Sequence, residues 1–116
     1  MKISRFEEIL AWQKSKTLTV QIYKNTKNSK DYGFKDQIQR ASVSVMNNIA
    51  EGFERRSNKE FIYFLYVSKG SCGEVRSMVI LGEELEYFNK DEAEMFKNLS
   101  EEISKMTSGL IRSLKS

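Results

Sequence analysis

The 116-residue sequence has no proline and only six glycines. Domains rich in β-structure usually need more of both residues, because proline and glycine build their tight turns. Long helices joined by short connections are therefore favoured over an all-β or α/β fold. The length is typical of one domain, residues 1–116, and an apolar fraction of 40% is enough to form a core.

Histidine is absent, and cysteine occurs once, at Cys72. The chain thus lacks the most frequent general base and metal ligand, and a single thiol cannot form an internal disulfide. Phosphate-binding loops, dinucleotide-binding glycine motifs and nucleophile elbows are missing as well. We therefore expect no enzymatic activity, no cofactor and no metal, and the lone cysteine favours a cytoplasmic location.

Long apolar runs are also missing, since no stretch approaches the roughly 20 residues that a membrane-spanning helix needs. We expect no membrane partner. The net charge of +3 is too small to identify a nucleic-acid partner. Its distribution is uneven, because residues 1–33 hold seven Lys or Arg against three Asp or Glu.

Helix-capping signals divide the chain into four segments. Ser4 with Glu7, Ser57 with Glu60 and Asn89 with Glu92 have the spacing of a capping box, in which side chain and backbone bond reciprocally. Gly33 follows a polar run and opens the remaining segment. The predicted helices cover residues 6–27, 34–55, 58–86 and 90–114. Their short connections favour an antiparallel, up-down four-helix bundle.

The second predicted helix has two apolar strips instead of one. At about 100° per residue, Phe34, Ile38, Ala41, Val45 and Ile49 form the first strip. The second strip consists of Val43, Met46, Ala50 and Phe53. Because one bundle is expected to use one face of each helix, we predict that a second copy of the protein covers the second strip.

A polar seam separates the two strips, and it comprises Gln37, Arg40, Ser44, Asn48 and Glu51. We expect these residues to form a hydrogen-bonded network at or near a contact between subunits. Arg40 and Glu51 are suited to charge-assisted bonds within it. In the third helix, Gly70 and Gly73 either let a neighbouring backbone approach or accommodate a bulky core partner, and both readings stay open.

Three stretches resemble the family of proteins encoded in intervening sequences of bacterial 23S rRNA genes. They are "FEEILAWQKSKTL", "QIQRASVSVMNNIAEGFER" and "KGSCGEVRS". The resemblance implies a four-helix bundle that assembles as a homopentamer, and nucleic-acid binding is the activity usually suggested for such proteins. Met46 and Asn47 stand where the family usually has Pro-Ser, so we expect the second helix to lack a kink.

A nucleic-acid surface would be built from exposed cations, for which the candidates are Lys14, Lys16, Lys24, Lys27, Arg55, Arg56 and Lys59. A homo-oligomer multiplies each cation, and phosphate binding increases with the number of cations engaged. Trp12 and Tyr23 fall on the presumed core arc, so we expect binding to the backbone of RNA or DNA without base stacking. The alternative function is a protein–protein interaction adaptor that binds no nucleic acid.

Overall fold

The structure, a computed structural model, describes residues 2–116. Over this range the chain forms four α-helices and no strand: α1 Leu10–Thr26, α2 Tyr32–Phe53, α3 Asn58–Glu84 and α4 Lys90–Lys115. A 3-10 turn at Phe6–Glu8 precedes α1, and four or five residues join each helix to the next. The all-α prediction is confirmed, and α2 is one uninterrupted helix.

The helices form a closed bundle in which each one packs against two others. α1 contacts α2 and α4, and α3 contacts α2 and α4. The body measures 43 × 21 × 19 Å, so its length is set by the helices. The centre is filled by fully buried side chains from all four helices, the largest being Phe96, Leu18, Ile22, Ile38, Ile49, Leu65 and Ile103.

Short polar side chains link successive helices through the core. The Thr19 hydroxyl of α1 donates to the Ser42 carbonyl of α2 at 3.0 Å, and the Ser68 hydroxyl of α3 donates to the Val45 carbonyl at 2.7 Å. The Cys72 thiol donates to the Ser100 carbonyl of α4. Since each donor is small and buried, these bonds satisfy polar atoms while allowing close helix packing.

Two of the predicted helix starts are correct. Asn89 and Glu92 form the complete capping box, with both reciprocal bonds at 2.8 Å. Ser57 accepts a bond from the Glu60 amide at 3.2 Å and so caps α3.

The other two predicted starts are wrong. Ser4 caps no helix, because Ile9 is buried with an extended backbone and separates the Phe6–Glu8 turn from α1. The Ser4 amide instead donates to the Glu8 carboxylate at 3.1 Å. Asp31, rather than Gly33, caps α2 by accepting a bond from the Phe34 amide at 3.1 Å.

The second strip of α2 is partly covered within the chain, and its coverage by a second copy stays a prediction. Phe53 packs against the core cluster that contains Phe61, with their ring centroids 5.9 Å apart, and it is half-buried like Val43, Met46 and Ala50. α2 packs between α1 and α3, so it needs apolar surface on two sides within a single chain. The two strips therefore follow from the position of α2 in the bundle.

The two ends of the bundle differ. At one end, called the clasped end, the Tyr87 hydroxyl donates to the Asp31 carboxylate at 2.7 Å and joins the α3–α4 connection to the start of α2. At the other, called the cavity end, Ile3, Phe53, Phe61, Leu110 and Leu114 border an open cavity. There the Asn58 amide group makes only a long, 3.5 Å bond to the Leu114 carbonyl.

Candidate interaction surfaces

The predicted seam on α2 forms a hydrogen-bonded network with α3 of the same chain. The hydroxyl oxygens of Ser44 and Ser71 lie 2.7 Å apart and share a hydrogen bond. The Asn48 amide group donates to the Ser44 carbonyl at 2.8 Å and to its hydroxyl at 3.0 Å. The Gln37 amide group donates to the Glu74 carboxylate at 3.1 Å. The network holds two helices of one bundle together, and its position at or near a contact between subunits stays a prediction.

The two charged seam residues do not pair with each other. Glu51 binds Arg55, one turn further along, at 2.7 Å. Arg40 is exposed and lines an open polar groove of about 370 Å³ together with Asp36, Gln37 and Glu74. Arg40 and Glu51 are eleven positions apart, about 16 Å along the helix axis, so side chains on one helix cannot bridge them.

The outward side of α3 is the most apolar exposed surface of the helix. It presents Tyr63, Tyr66, Val67, Ile80, Leu81 and Leu85, which are 36–63% exposed. We call this surface the α3 outer face. The sequence analysis did not predict that Tyr63 and Leu85 belong to an exposed apolar face. The signal that could have identified them is their spacing of three or four residues on the arc opposite the core stripe.

Gly70 and Gly73 lie in the middle of the α3 outer face. A Cβ at either position would meet no atom of the chain within 4 Å. The reading that these glycines accommodate a bulky core partner is therefore wrong. The remaining reading, close approach by a neighbouring backbone, requires that neighbour to come from outside the chain.

The seven candidate cations do not form one surface. Lys24 and Lys27 lie near the clasped end, where Lys24 borders a pocket with Tyr87 and Phe88. Arg55 and Arg56 line the cavity end, and Lys59 is the second residue of α3. Because the body is 43 Å long, the two sets belong to different surfaces.

Several of these cations are engaged within the chain. Lys14 pairs with Glu102 at 3.4 Å. Arg55 pairs with Glu51, and its guanidinium lies 4.7 Å from the centre of the Phe64 ring. Lys16 lies 5.6 Å from the centre of the Trp12 ring. Such exposed pairs are weak in water, so they reduce but do not abolish the positive field of these residues.

Tyr23 was placed on the core arc from sequence, and this is wrong. Its side chain is 43% exposed on α1, close in sequence to Lys24 and Lys27. The reason is that the buried stripe of α1 runs through Ala11, Leu18 and Ile22. One aromatic ring therefore lies among the cations of this helix.

The single cysteine, Cys72, is buried in the bundle. Burial raises the pKa of the Cys72 thiol to about 11, so the reactive thiolate is scarce at neutral pH. Across residues 2–116, no group of three or more Cys, Asp or Glu side chains is arranged to hold a metal ion. None of the helices described is long and apolar enough to cross a membrane.

One solved structure has a similar fold. It is a protein of unknown function from the S23 ribosomal protein family of Bacteroides thetaiotaomicron VPI-5482, 27% identical, with a TM-score of 0.82. The alignment covers 88% of this chain and 98% of that one. Among curated proteins, none matches the chain.

The family model for 23S rRNA-intervening sequence proteins matches residues 7–109. This range contains the seam on α2, its partners on α3 and the whole α3 outer face. The chain belongs to the family of 23S rRNA-intervening sequence proteins.

Proposed function

We propose that the protein is a non-enzymatic, homo-oligomeric helical scaffold that binds RNA or DNA through the sugar–phosphate backbone. The observation that carries the proposal is the α3 outer face. From Tyr63 to Leu85 it extends over about 33 Å of helix. Only Glu74 and Glu84 contribute charge along this arc. An apolar surface of this length on a small protein is typical of an interaction site.

The two open glycines favour another helix as the occupant. Each glycine destabilises the interior of a helix by about 1 kcal/mol relative to alanine. Within the chain neither Gly70 nor Gly73 gains a contact in return. Backbone approach by the helix of a second copy would supply one. The homopentamer that the family resemblance implies is our prediction for the number of copies.

The outward side of α1 is the best supported surface for nucleic acid. Lys16, Lys24 and Lys27 take part in none of the four ion pairs found within residues 2–116. Arg56 and Lys59 are also free of such pairs, but they lie towards the cavity end. Assembly would repeat each set around the oligomer, so a chain of net charge +3 gains a concentrated positive field.

Assembly is tested by light scattering coupled to size-exclusion chromatography. We expect an oligomer for the wild-type chain and dissociation for Leu81→Glu, because a charge would be buried at the contact. Met95→Glu is the matched control, since Met95 is a similarly exposed apolar residue of α4. A wild-type monomer at high concentration, or Leu81→Glu that assembles normally, would contradict the proposed interface.

Nucleic-acid binding is tested by anisotropy titrations of labelled oligonucleotides at several salt concentrations. The double variant Lys24→Gln/Lys27→Gln should bind more weakly and show a shallower salt dependence, equally for unrelated sequences. Lys14→Gln should weaken binding less, because Lys14 is already paired with Glu102. Affinity that does not change with salt would exclude backbone-directed binding.

A protein–protein adaptor is the second candidate function. The polar groove beside the seam favours it, because Arg40 lies there with the carboxylates of Asp36 and Glu74. Adjacent charges of both signs suit a protein surface better than a polyanion. A pull-down with and without nuclease separates the two candidates, since partners bridged by nucleic acid are lost after nuclease treatment.

A further inference from the structure

The cavity end carries a second candidate site that is separate from the α3 outer face and from the cations of α1. The cavity measures about 470 Å³, within the range of ligand pockets in general. Its walls are apolar and come from four parts of the chain: Ile3 before α1, Phe53 at the end of α2, Phe61 on α3, and Leu110 and Leu114 on α4.

Two arginines border this apolar space. Arg55 is held by Glu51 at 2.7 Å and stacks on Phe64, so much of its charge is compensated. Arg56 is exposed and belongs to none of the ion pairs formed within the part of the chain described. The guanidinium of Arg56 is therefore available for a carboxylate, which it can bind through two parallel hydrogen bonds.

Neutral polar side chains complete the rim. Ser57, Asn58 and Ser113 line the same cavity. The exposed amide group of Asn58 makes a long, 3.5 Å bond to the Leu114 carbonyl, so it can exchange this weak bond for one to a ligand. A hydrocarbon chain with one carboxylate would leave these groups without a role, whereas a peptide offers amide groups for them.

We infer that this cavity binds the carboxyl-terminal residue of an apolar peptide. The side chain of that residue occupies the space between Phe53, Phe61 and Leu114. The terminal carboxylate binds Arg56, and the last peptide group bonds to Asn58. Apolar surface gives affinity and the carboxylate gives orientation, as in other sites that capture a chain terminus.

The site is tested with N-acetylated tetrapeptides that end in leucine or phenylalanine, added to the full chain in solution. Calorimetry gives the affinity, and amide chemical-shift changes in NMR spectra locate the site. We expect the free acid to bind roughly tenfold more tightly than the C-terminal amide of the same peptide, because a charge-assisted bond is lost. Shift changes should centre on residues 53–58 and 110–114.

Two variants and a control separate the contribution of the Arg56 charge from that of the apolar space. Arg56→Glu should weaken the acid roughly tenfold and leave the amide unchanged, while Lys59→Glu, a change of equal charge outside the cavity lining, should alter neither. Leu110→Trp should abolish binding of both peptides by filling the space. Decanoate is tested alongside the peptides, because it is a hydrocarbon chain with one carboxylate and no peptide group.

Four results would overturn the inference: absence of peptide binding, equal affinity for acid and amide, shift changes elsewhere, or decanoate binding more tightly than the peptides. A monomeric protein, or one that binds no nucleic acid, would leave the inference intact, since the cavity is formed within one chain.

Discussion

Two pairs of helical glycines occupy opposite kinds of environment. A Cβ at Gly52 would lie 2.7 Å from the Cβ of Phe64, and a Cβ at Gly82 would lie 2.7 Å from the Phe88 ring. A Cβ at Gly70 or Gly73 would meet nothing within 4 Å. The first pair permits close packing inside the chain, whereas the second pair has no such role there.

The difference shows that glycine can have more than one structural role in a helix. Gly52 and Gly82 are buried, and their small size lets α2 approach α3 and lets the aromatic rings close the clasped end. Gly70 and Gly73 are exposed on an otherwise apolar face. Each of these glycines lowers the stability of its helix. Packing within the chain offsets this cost at Gly52 and Gly82, and we propose that packing against a second chain offsets it at Gly70 and Gly73.

The largest effect is expected for Gly52→Ala. The new methyl group would overlap the Phe64 Cβ, which is fixed to the α3 backbone, so α2 and α3 must separate. Overpacking of this kind costs up to about 3 kcal/mol, and the helix preference of alanine returns about 1 kcal/mol. The free energy of unfolding should fall by about 2 kcal/mol, measured by chemical denaturation at a fixed protein concentration.

Gly33→Ala is the control for this change, because only Asp31 lies near a Cβ there, at 3.8 Å. An unchanged stability of Gly52→Ala would show that the contact between α2 and α3 adjusts easily, and the contrast between the two glycine pairs would disappear.

An intermediate effect of opposite sign is expected for Gly70→Ala and Gly73→Ala. Each should stabilise the isolated chain by about 1 kcal/mol, since alanine favours the helix and meets no obstacle. Each should also weaken self-association, because a methyl group holds the second backbone away. Denaturation of dilute protein measures the first effect, and sedimentation across a concentration series measures the second. Stabilisation with unaltered assembly would place the subunit contact elsewhere.

The smallest effect is expected for the hydrogen bond between Tyr87 and Asp31 at the clasped end. The hydrogen bond from Tyr87, followed by that from the Phe34 amide, lowers the pKa of Asp31, and the same bond to Asp31 raises the pKa of Tyr87. The contribution of Asp31 is therefore present above its unfolded pKa of about 3.9 and is lost as pH falls through the folded value. The contribution of Tyr87 is present below about pH 10 and is lost as pH rises through its folded value.

Tyr87→Phe should accordingly be less stable than wild type at neutral pH, and the difference should shrink in acid and in strong alkali. Stability curves of both proteins from pH 2 to pH 11 measure this. Tyr32→Phe is the matched control, since Tyr32 is an exposed tyrosine at the same end of the bundle. If Tyr87→Phe and wild type were equally stable at every pH, Tyr87 would act only through the ring contact with Phe34, which phenylalanine preserves.

The helix pattern was predictable because it depends on local signals. The absence of proline, the capping box at Asn89 and the three-to-four spacing on α4 depend on neighbouring residues alone. The helix starts at Ser4 and Gly33 were mispredicted because competing groups, the buried Ile9 and the cap at Asp31, were stronger. The seam residues were identified, but their partners Ser71 and Glu74 lie 27 and 37 positions away and could not be assigned.

The sequence by itself determined that this protein is helical, where most of its helices lie and which family it resembles, since these properties reside in short-range patterns. Only the tertiary structure decided which apolar faces are shared within the chain. It left the second strip of α2 half-buried and the α3 outer face exposed, and it brought Ile3, Phe53 and Leu114 around one cavity. The reason is physical: periodicity defines a face, but only the neighbouring helices determine whether that face is covered.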